Sequence, residues 1–132
     1  MNARTEQPEV GLTVVHRRYA SYSHAHYAGN LVDGAWGLGL FGDVATEMCI
    51  RTDGVEGLFA SYADVQFLAT VRAGDLVEAS ATLVRVGSRS RGLDFALLVV
   101  ARGDHATGAA EMLSEPIVAT TATGTVVVPH AH

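Results

Sequence analysis

With 132 residues the chain has room for one domain with a substantial core, and not for two. Hydrophobic residues make up 48% and charged residues 17%, which excludes a disordered chain. A formal charge of −5, with no lysine and scattered arginines, argues against a nucleic-acid-binding surface. A phosphorylated small ligand stays open, because a single guanidinium meets a phosphate with two hydrogen bonds whatever the net charge.

Residues 1–9 read as a polar tail without the apolar core of a signal peptide, and Val10–Tyr22, rich in β-branched and aromatic residues, reads as a strand. Ser23–Gly29 is a polar break. The apolar stretch Leu31–Ile50 then has the length of a helix, with Asn30 placed to cap it and Asp33 near the positive end of its dipole. Asp43 and Glu47 interrupt that stretch, so no membrane span is expected. Gly34, Gly37, Gly39 and Gly42 each cost roughly 1 kcal/mol relative to alanine inside a helix. Close approach of a surrounding sheet would account for them.

Thr52-Asp53-Gly54 reads as a turn, followed by strands over 57–70, 75–88, 92–103 and 115–128 and a short tail at 129–132. Ala73-Gly74-Asp75, residues 87–91 and a loop over 104–114 separate these strands. Within 76–83 the alternation of Val77, Ala79, Ala81 and Leu83 with more polar neighbours fits a strand with one buried face, and the apolar run Leu97–Ala101 fits a central strand. The fold class is α+β: an antiparallel sheet wrapped around one long helix, an α+β sandwich of another strand order being the alternative. Such a sheet leaves part of the helix bare, so a second subunit is expected.

The lone Cys49 forms no internal disulfide and no cysteine zinc site, which makes a cytoplasmic compartment the expectation and a buried apolar role the plainer reading. Polar side chains converge in His24-Ala25-His26-Tyr27-Ala28-Gly29-Asn30-Leu31-Val32-Asp33-Gly34, immediately before and at the start of the helix. Free N–H groups near Gly34 and Ala35 would stabilise a carbonyl oxygen that gathers negative charge. Asp43 and Glu47, four apart on one helix face, suit a shared acid/base site in which two carboxylates hold different protonation states; pairing with arginines at a subunit interface, or simple exposure to solvent, is the alternative. His26 reads equally as acid/base or loop hydrogen-bonder, and Asn30 equally as cap or substrate contact. The His24-x-His26 spacing lacks a third ligand, so no metal is expected. Tyr62 reads first as core packing and second as a phenol in the pocket.

The runs Ala25–Ala35 and Leu40–Glu47, with Asp53-Gly54, Glu56-Gly57-Leu58-Phe59, Phe67-Leu68-Ala69, Ala73-Gly74-Asp75 and Ala122-Thr123-Gly124, resemble the 3-aminobutyryl-CoA ammonia lyases and their β-alanyl-CoA relatives. The resemblance implies a hotdog fold, a homodimer or trimer of dimers, and no prosthetic group, coenzyme A being part of the acyl-CoA substrate. It implies roles for His26, Tyr27, Asn30, Asp43 and Glu47, and reversible loss of ammonia to an enoyl-CoA in lysine or β-amino acid breakdown. Trp36, where an arginine is expected, and His24, where an aspartate is expected, depart from the pattern, and the loop 104–114 lacks a clear counterpart.

For such a ligand, Arg85, Arg89 and Arg91 around Gly87 read as solvated turn residues or, more sharply, as contacts for the phosphates of coenzyme A. Asp43 or Glu47 is expected to take the α-proton, the helix start to hold the enolate, and the amine to leave toward the other carboxylate, His26 or Tyr27. The rival readings are an acyl-CoA thioesterase and a noncatalytic acyl-CoA-binding protein.

Overall fold

The structure, a computed structural model, describes residues 7–129. The expected tails fall largely on residues 1–6 and 130–132, outside the described residues. In chain order the elements are β1 (Thr13–Tyr19), β2 (Ala25–Tyr27), β3 (Leu31–Val32), α1 (Gly34–Asp53), β4 (Leu58–Phe67), β5 (Val71–Arg72), β6 (Leu76–Val86), β7 (Ser90–Gly103) and β8 (Ala110–Val127). Single 3-10 turns precede β2 and β3. The long strands form a five-stranded antiparallel sheet in the order β1-β6-β7-β8-β4, and the short ones a three-stranded sheet β2-β3-β5.

The five-stranded sheet curls around α1. Val77, Ala79, Ala81 and Leu83 of β6 and Leu93, Phe95, Leu97 and Val99 of β7 point inward and are buried. They meet Leu40, Phe41, Val44, Ala45, Met48 and Cys49 of the helix. At the centre the Phe41 and Phe95 rings stack with centroids 5.0 Å apart. β7 has partners on both sides, as its apolar run suggested, but Ala96 and Leu98 are only half-buried, so its outer face is not closed within one chain.

The helix starts later than its hydrophobicity suggested. Leu31-Val32 is taken into the small sheet opposite Arg72-Val71, and the turn into the helix falls at Asp33. Asn30 therefore does not cap α1. It sits at φ 59°, a left-handed conformation that asparagine tolerates, and its carbonyl accepts the Ala73 N–H at 2.8 Å. At the other end Thr52 and Asp53 complete the helix instead of forming a separate turn. Gly54 closes it at φ 69°, with its N–H on the Ile50 carbonyl at 3.1 Å.

Close approach accounts for two of the helix glycines and not for the other two. A Cβ on Gly37 would lie 2.8 Å from the Leu97 side chain, and one on Gly34 would run into the Phe67 ring. Gly39 and Gly42 would meet nothing within 4 Å. They lie with Ala35, Asp43, Thr46 and Ile50 on the side that the sheet leaves open. Farther along the chain, the expected loop 104–114 shrinks to a turn over 104–109, closed by Asp104 N–H on the Ala109 carbonyl at 2.7 Å, and β8 begins at Ala110.

Candidate active site

The cleft opens where β3 hands over to α1. It encloses about 440 Å³ between Tyr27, Asp33, Gly34, Ala35 and Trp36 on the helix side and Phe67, Leu97 and Thr120 on the sheet side. The sheet residues are brought together by register, since Thr120 of β8 pairs with Phe67 of β4 on one side and Leu97 of β7 on the other. Asp33 occupies the N-cap position, yet its carboxylate makes no capping bond. Only its carbonyl is used, accepting Trp36 N–H at 3.3 Å. N–H groups in a first helical turn have no intrahelical acceptor. Gly34 and Ala35 thus offer donors at the cleft with an uncommitted carboxylate beside them, an arrangement suited to an oxygen gathering negative charge and a cationic group on one ligand.

Of the residues singled out in the sequence, Tyr27, Gly34 and Ala35 line this cleft. His26 is exposed beside it, its ring edge-on to Tyr27 with centroids 4.7 Å apart. Asn30 lies across Leu31, in a second concavity. His24 leans against Trp36 at 5.4 Å, so the two departures from the family pattern touch each other.

The two helix acids are not at the cleft of their own chain. Asp43 follows Gly34 by nine residues of α1, about 13 Å along a helix that rises about 1.5 Å per residue. It is exposed on the open side of the helix. Glu47, a turn farther, is half-buried and engaged: His16 Nε2 donates to its Oε1 at 2.7 Å and Arg51 Nε lies 3.1 Å from its Oε2. Glu47 thus pairs with an arginine of its own helix, not of a subunit interface, and a histidine of β1 joins in. Nothing local in the sequence connects His16 with Glu47; the pairing arises when β1 packs on the helix.

Tyr62 takes its packing role. Its hydroxyl donates to the Leu38 carbonyl at 2.7 Å, its ring lies against Phe59 and Phe95, and burial raises its phenol above the usual value. Arg91 is corrected outright, being neither solvated nor available to a phosphate. It is buried, with Nη2 and Nε on the Asp53 carboxylate at 2.7 and 3.2 Å and Nη1 on the Gly87 and Ser90 carbonyls. An acid at the end of α1 thereby fixes the guanidinium against the β6–β7 turn. Arg85 donates to Ser90 Oγ at 3.0 Å, and Arg89 remains exposed in that turn. Asp33 stands within the polar run read from the sequence, yet sequence reasoning gives it no role in the site, because its position near the helix start suggests only a favourable charge near the dipole.

No family model matches the chain. It is 49% identical over 107 residues to the 3-aminobutyryl-CoA ammonia lyase of Acetoanaerobium sticklandii, a match that covers 80% of this chain and 85% of that protein. The β-alanyl-CoA:ammonia lyase from Clostridium propionicum superposes with a TM-score of 0.85 at 36% identity, over 91% of this chain and 87% of that one. A hexameric hotdog fold thioesterase of Campylobacter jejuni matches at a TM-score of 0.70 and 21% identity, over 95% of this chain and 86% of that one, and speaks for the fold alone. With 49% of the aligned residues shared over 80% of this chain, and a fold that superposes on the β-alanyl-CoA:ammonia lyase with a TM-score of 0.85, the chain belongs to the 3-aminobutyryl-CoA ammonia lyase family and has a hotdog fold.

Proposed function

We propose that this protein is an ammonia lyase that interconverts 3-aminobutyryl-CoA, or a similar β-aminoacyl-CoA, with ammonia and the enoyl-CoA, crotonyl-CoA for the four-carbon acyl group. The observation that carries this reading is the 49% identity to a relative of that name. The cleft supports it, because donors at Gly34 and Ala35 and the free Asp33 carboxylate stand side by side. A β-ammonium and a thioester oxygen on one substrate are likewise only a few bonds apart. The step belongs to lysine or β-amino acid breakdown in the cytoplasm, with coenzyme A entering as part of the substrate and no resident cofactor.

In the elimination, a base takes the proton from Cα and the C–H electron pair moves toward the thioester oxygen. That developing enolate accepts hydrogen bonds from the Gly34 and Ala35 N–H groups, where the positive end of the helix adds to the stabilisation. The electrons return to form the Cα–Cβ double bond as the Cβ–N bond breaks, and ammonia leaves from beside Asp33 and Tyr27. The proton held by the base completes the ammonium product. Ammonia addition is the same sequence reversed.

The base is Asp43 supplied by a second copy of the chain. A carboxylate must come within about 3 Å of the proton it takes. Asp43 of the same chain, about 13 Å down the axis from Gly34, is too far from a thioester held at the helix start. An antiparallel approach of two helices across Gly39 and Gly42, where no side chain stands in the way, would carry each Asp43 toward the other chain's cleft. A homodimer is then the smallest active unit, and a trimer of dimers repeats it.

Purified protein mixed with crotonyl-CoA and ammonium tests the reading, with enoyl absorbance and free thiol followed together. Loss of absorbance that depends on ammonium, without thiol release, is expected. Thiol release that needs no ammonium would replace the lyase with a thioesterase.

A further inference from the structure

With Arg91 and Arg85 occupied elsewhere, the phosphates of a coenzyme A thioester need another cation, and the sequence offers no lysine. Among the described residues, carboxylates hold Arg17, Arg51, Arg91 and Arg102, while Arg85 is bonded to Ser90 and Arg18 to a neighbouring carbonyl. Arg72 and Arg89 are left. They lie beyond opposite ends of β6, whose 11 residues span about 35 Å at about 3.3 Å each. Only Arg72 stands beside the cleft.

Arg72 borders a second concavity of about 540 Å³ with Gly29, Asn30, Leu31, Asp104 and His105. This concavity and the catalytic cleft meet at Leu31, which lines both, and along β5, where Val71 faces the cleft and the next residue, Arg72, faces the concavity. One elongated ligand can cross Leu31 from one to the other. Arg72 is exposed, and its backbone alone is fixed, by its N–H on Asp75 Oδ2 at 2.8 Å and by pairing with Leu31. The nearby Asp75 carboxylate is already neutralised by Arg102, through Nε and Nη2 at 3.0 Å each. Asp104 turns one carboxylate oxygen back onto its own turn, accepting the Ala106 N–H at 3.0 Å. His105, its ring near Tyr22 with centroids 6.3 Å apart, adds an imidazole N–H donor to those of the Arg72 guanidinium.

We infer that Arg72, seconded by His105, binds a phosphate of the coenzyme A moiety, so that the nucleotide end of the substrate rests in the Asn30–Arg72–His105 concavity while the pantetheine arm crosses Leu31 into the catalytic cleft. The inference rests on the acyl-CoA reading above. A guanidinium meets a phosphate through paired charge-assisted hydrogen bonds.

The test is calorimetric binding of free coenzyme A and of 3′-dephospho-coenzyme A to wild type, Arg72→Gln, His105→Gln and Arg89→Gln, beside the crotonyl-CoA assay. Arg72→Gln should weaken coenzyme A binding roughly 10- to 100-fold, as loss of a charged hydrogen-bonding partner does. It should raise KM for crotonyl-CoA in step, and leave turnover of crotonyl-pantetheine, which carries no phosphate, at the wild-type rate. A defect that disappears with 3′-dephospho-coenzyme A assigns the 3′-phosphate, and one that persists assigns the diphosphate; both support the site. Wild-type affinity in Arg72→Gln overturns the inference even if the enzyme is a lyase, and so does weakening confined to Arg89→Gln. Coenzyme A binding that depends on Arg72 without ammonium-dependent loss of crotonyl-CoA would uphold the site while removing the lyase assignment.

Discussion

His16 Nε2 lies 2.7 Å from Glu47 Oε1, joining edge strand β1 to the helix at a carboxylate that Arg51 holds from the other side. A carboxylate with a partner on each oxygen is poorly placed to collect a proton from substrate, whereas Asp43, one turn earlier, is exposed. The two acids should therefore separate by experiment. Asp43→Asn is expected to lower kcat by 10²- to 10⁴-fold, the usual contribution of general acid–base catalysis, with Tm unchanged. Glu47→Gln should retain most activity and lose about 1 kcal/mol or less of stability, since the pair is partly exposed. Equal loss of kcat in both variants would assign Glu47 to the chemistry. Urea melts and initial rates on crotonyl-CoA with ammonium decide between them.

Arg91 and Asp53 form a second such tie, and this one is buried. Removing one partner of a buried pair strands the other charge, which costs about 3–5 kcal/mol. Arg91→Gln should melt well below wild type while binding coenzyme A as wild type does in whatever fraction stays folded, measured by denaturant titration and calorimetry. A variant of normal stability with weakened coenzyme A binding would restore Arg91 as a phosphate contact.

These ties mark where local sequence stops being informative. The body of α1 was legible from the length of its apolar stretch, and the buried face of β6 from its alternation, since Val77, Ala79, Ala81 and Leu83 are all fully buried. The helix start was not, because Asn30 satisfies cap preference and only the pairing of Leu31-Val32 with β5 moves the cap to Asp33. β8 begins in residues that, Leu113 apart, are exposed, so Ala110–Ser114 carries no sustained alternation to read. The helix-side half of the cleft stood in one continuous run of sequence. Phe67, Leu97 and Thr120 on the other half come from three strands and are joined by register alone.

Trp36 lines the cleft, and His24 packs on it with ring centroids 5.4 Å apart. Trp36→Ala is expected to shift preference toward longer enoyl-CoA substrates, by roughly tenfold in relative kcat/KM for each methylene accommodated. His24→Ala should shift it in the same direction by less, since it acts through the indole. Assays across four-, six- and eight-carbon enoyl-CoAs read this directly, and unchanged chain-length preference in Trp36→Ala would separate the indole from acyl recognition.

Burial pushes the Cys49 thiol up to about 11 from an ordinary 9.0, with Asp53 adding to the shift and Arg91 opposing it. The folded chain keeps a proton that the unfolded chain releases above about pH 9. That contribution to stability is therefore complete below pH 9 and is lost as pH rises toward about 11. Cys49→Ala should flatten the fall in stability over this window relative to wild type, whatever its constant offset from the smaller side chain. Urea midpoints at about pH 8 and about pH 10 measure the difference. Identical pH slopes in the two proteins would show that the thiol titrates alike folded and unfolded.

A site assembled from two chains makes a prediction that no single-chain site does. If Asp33 and the Gly34 and Ala35 donors come from one copy and Asp43 from the other, Asp33→Asn and Asp43→Asn are each inactive, but a mixed dimer contains one site in which both acids are intact. Random pairing of the two variants makes half of the dimers mixed, so about a quarter of all sites regain both carboxylates. Co-expressed variants should recover activity near that fraction, while separately purified homo-oligomers stay inactive until subunits exchange. A site contained within one chain would show no recovery at any mixing ratio, because every chain would carry one defect. The about 13 Å between Gly34 and Asp43 along α1 favours recovery, since no rotation of the Asp43 side chain closes that distance.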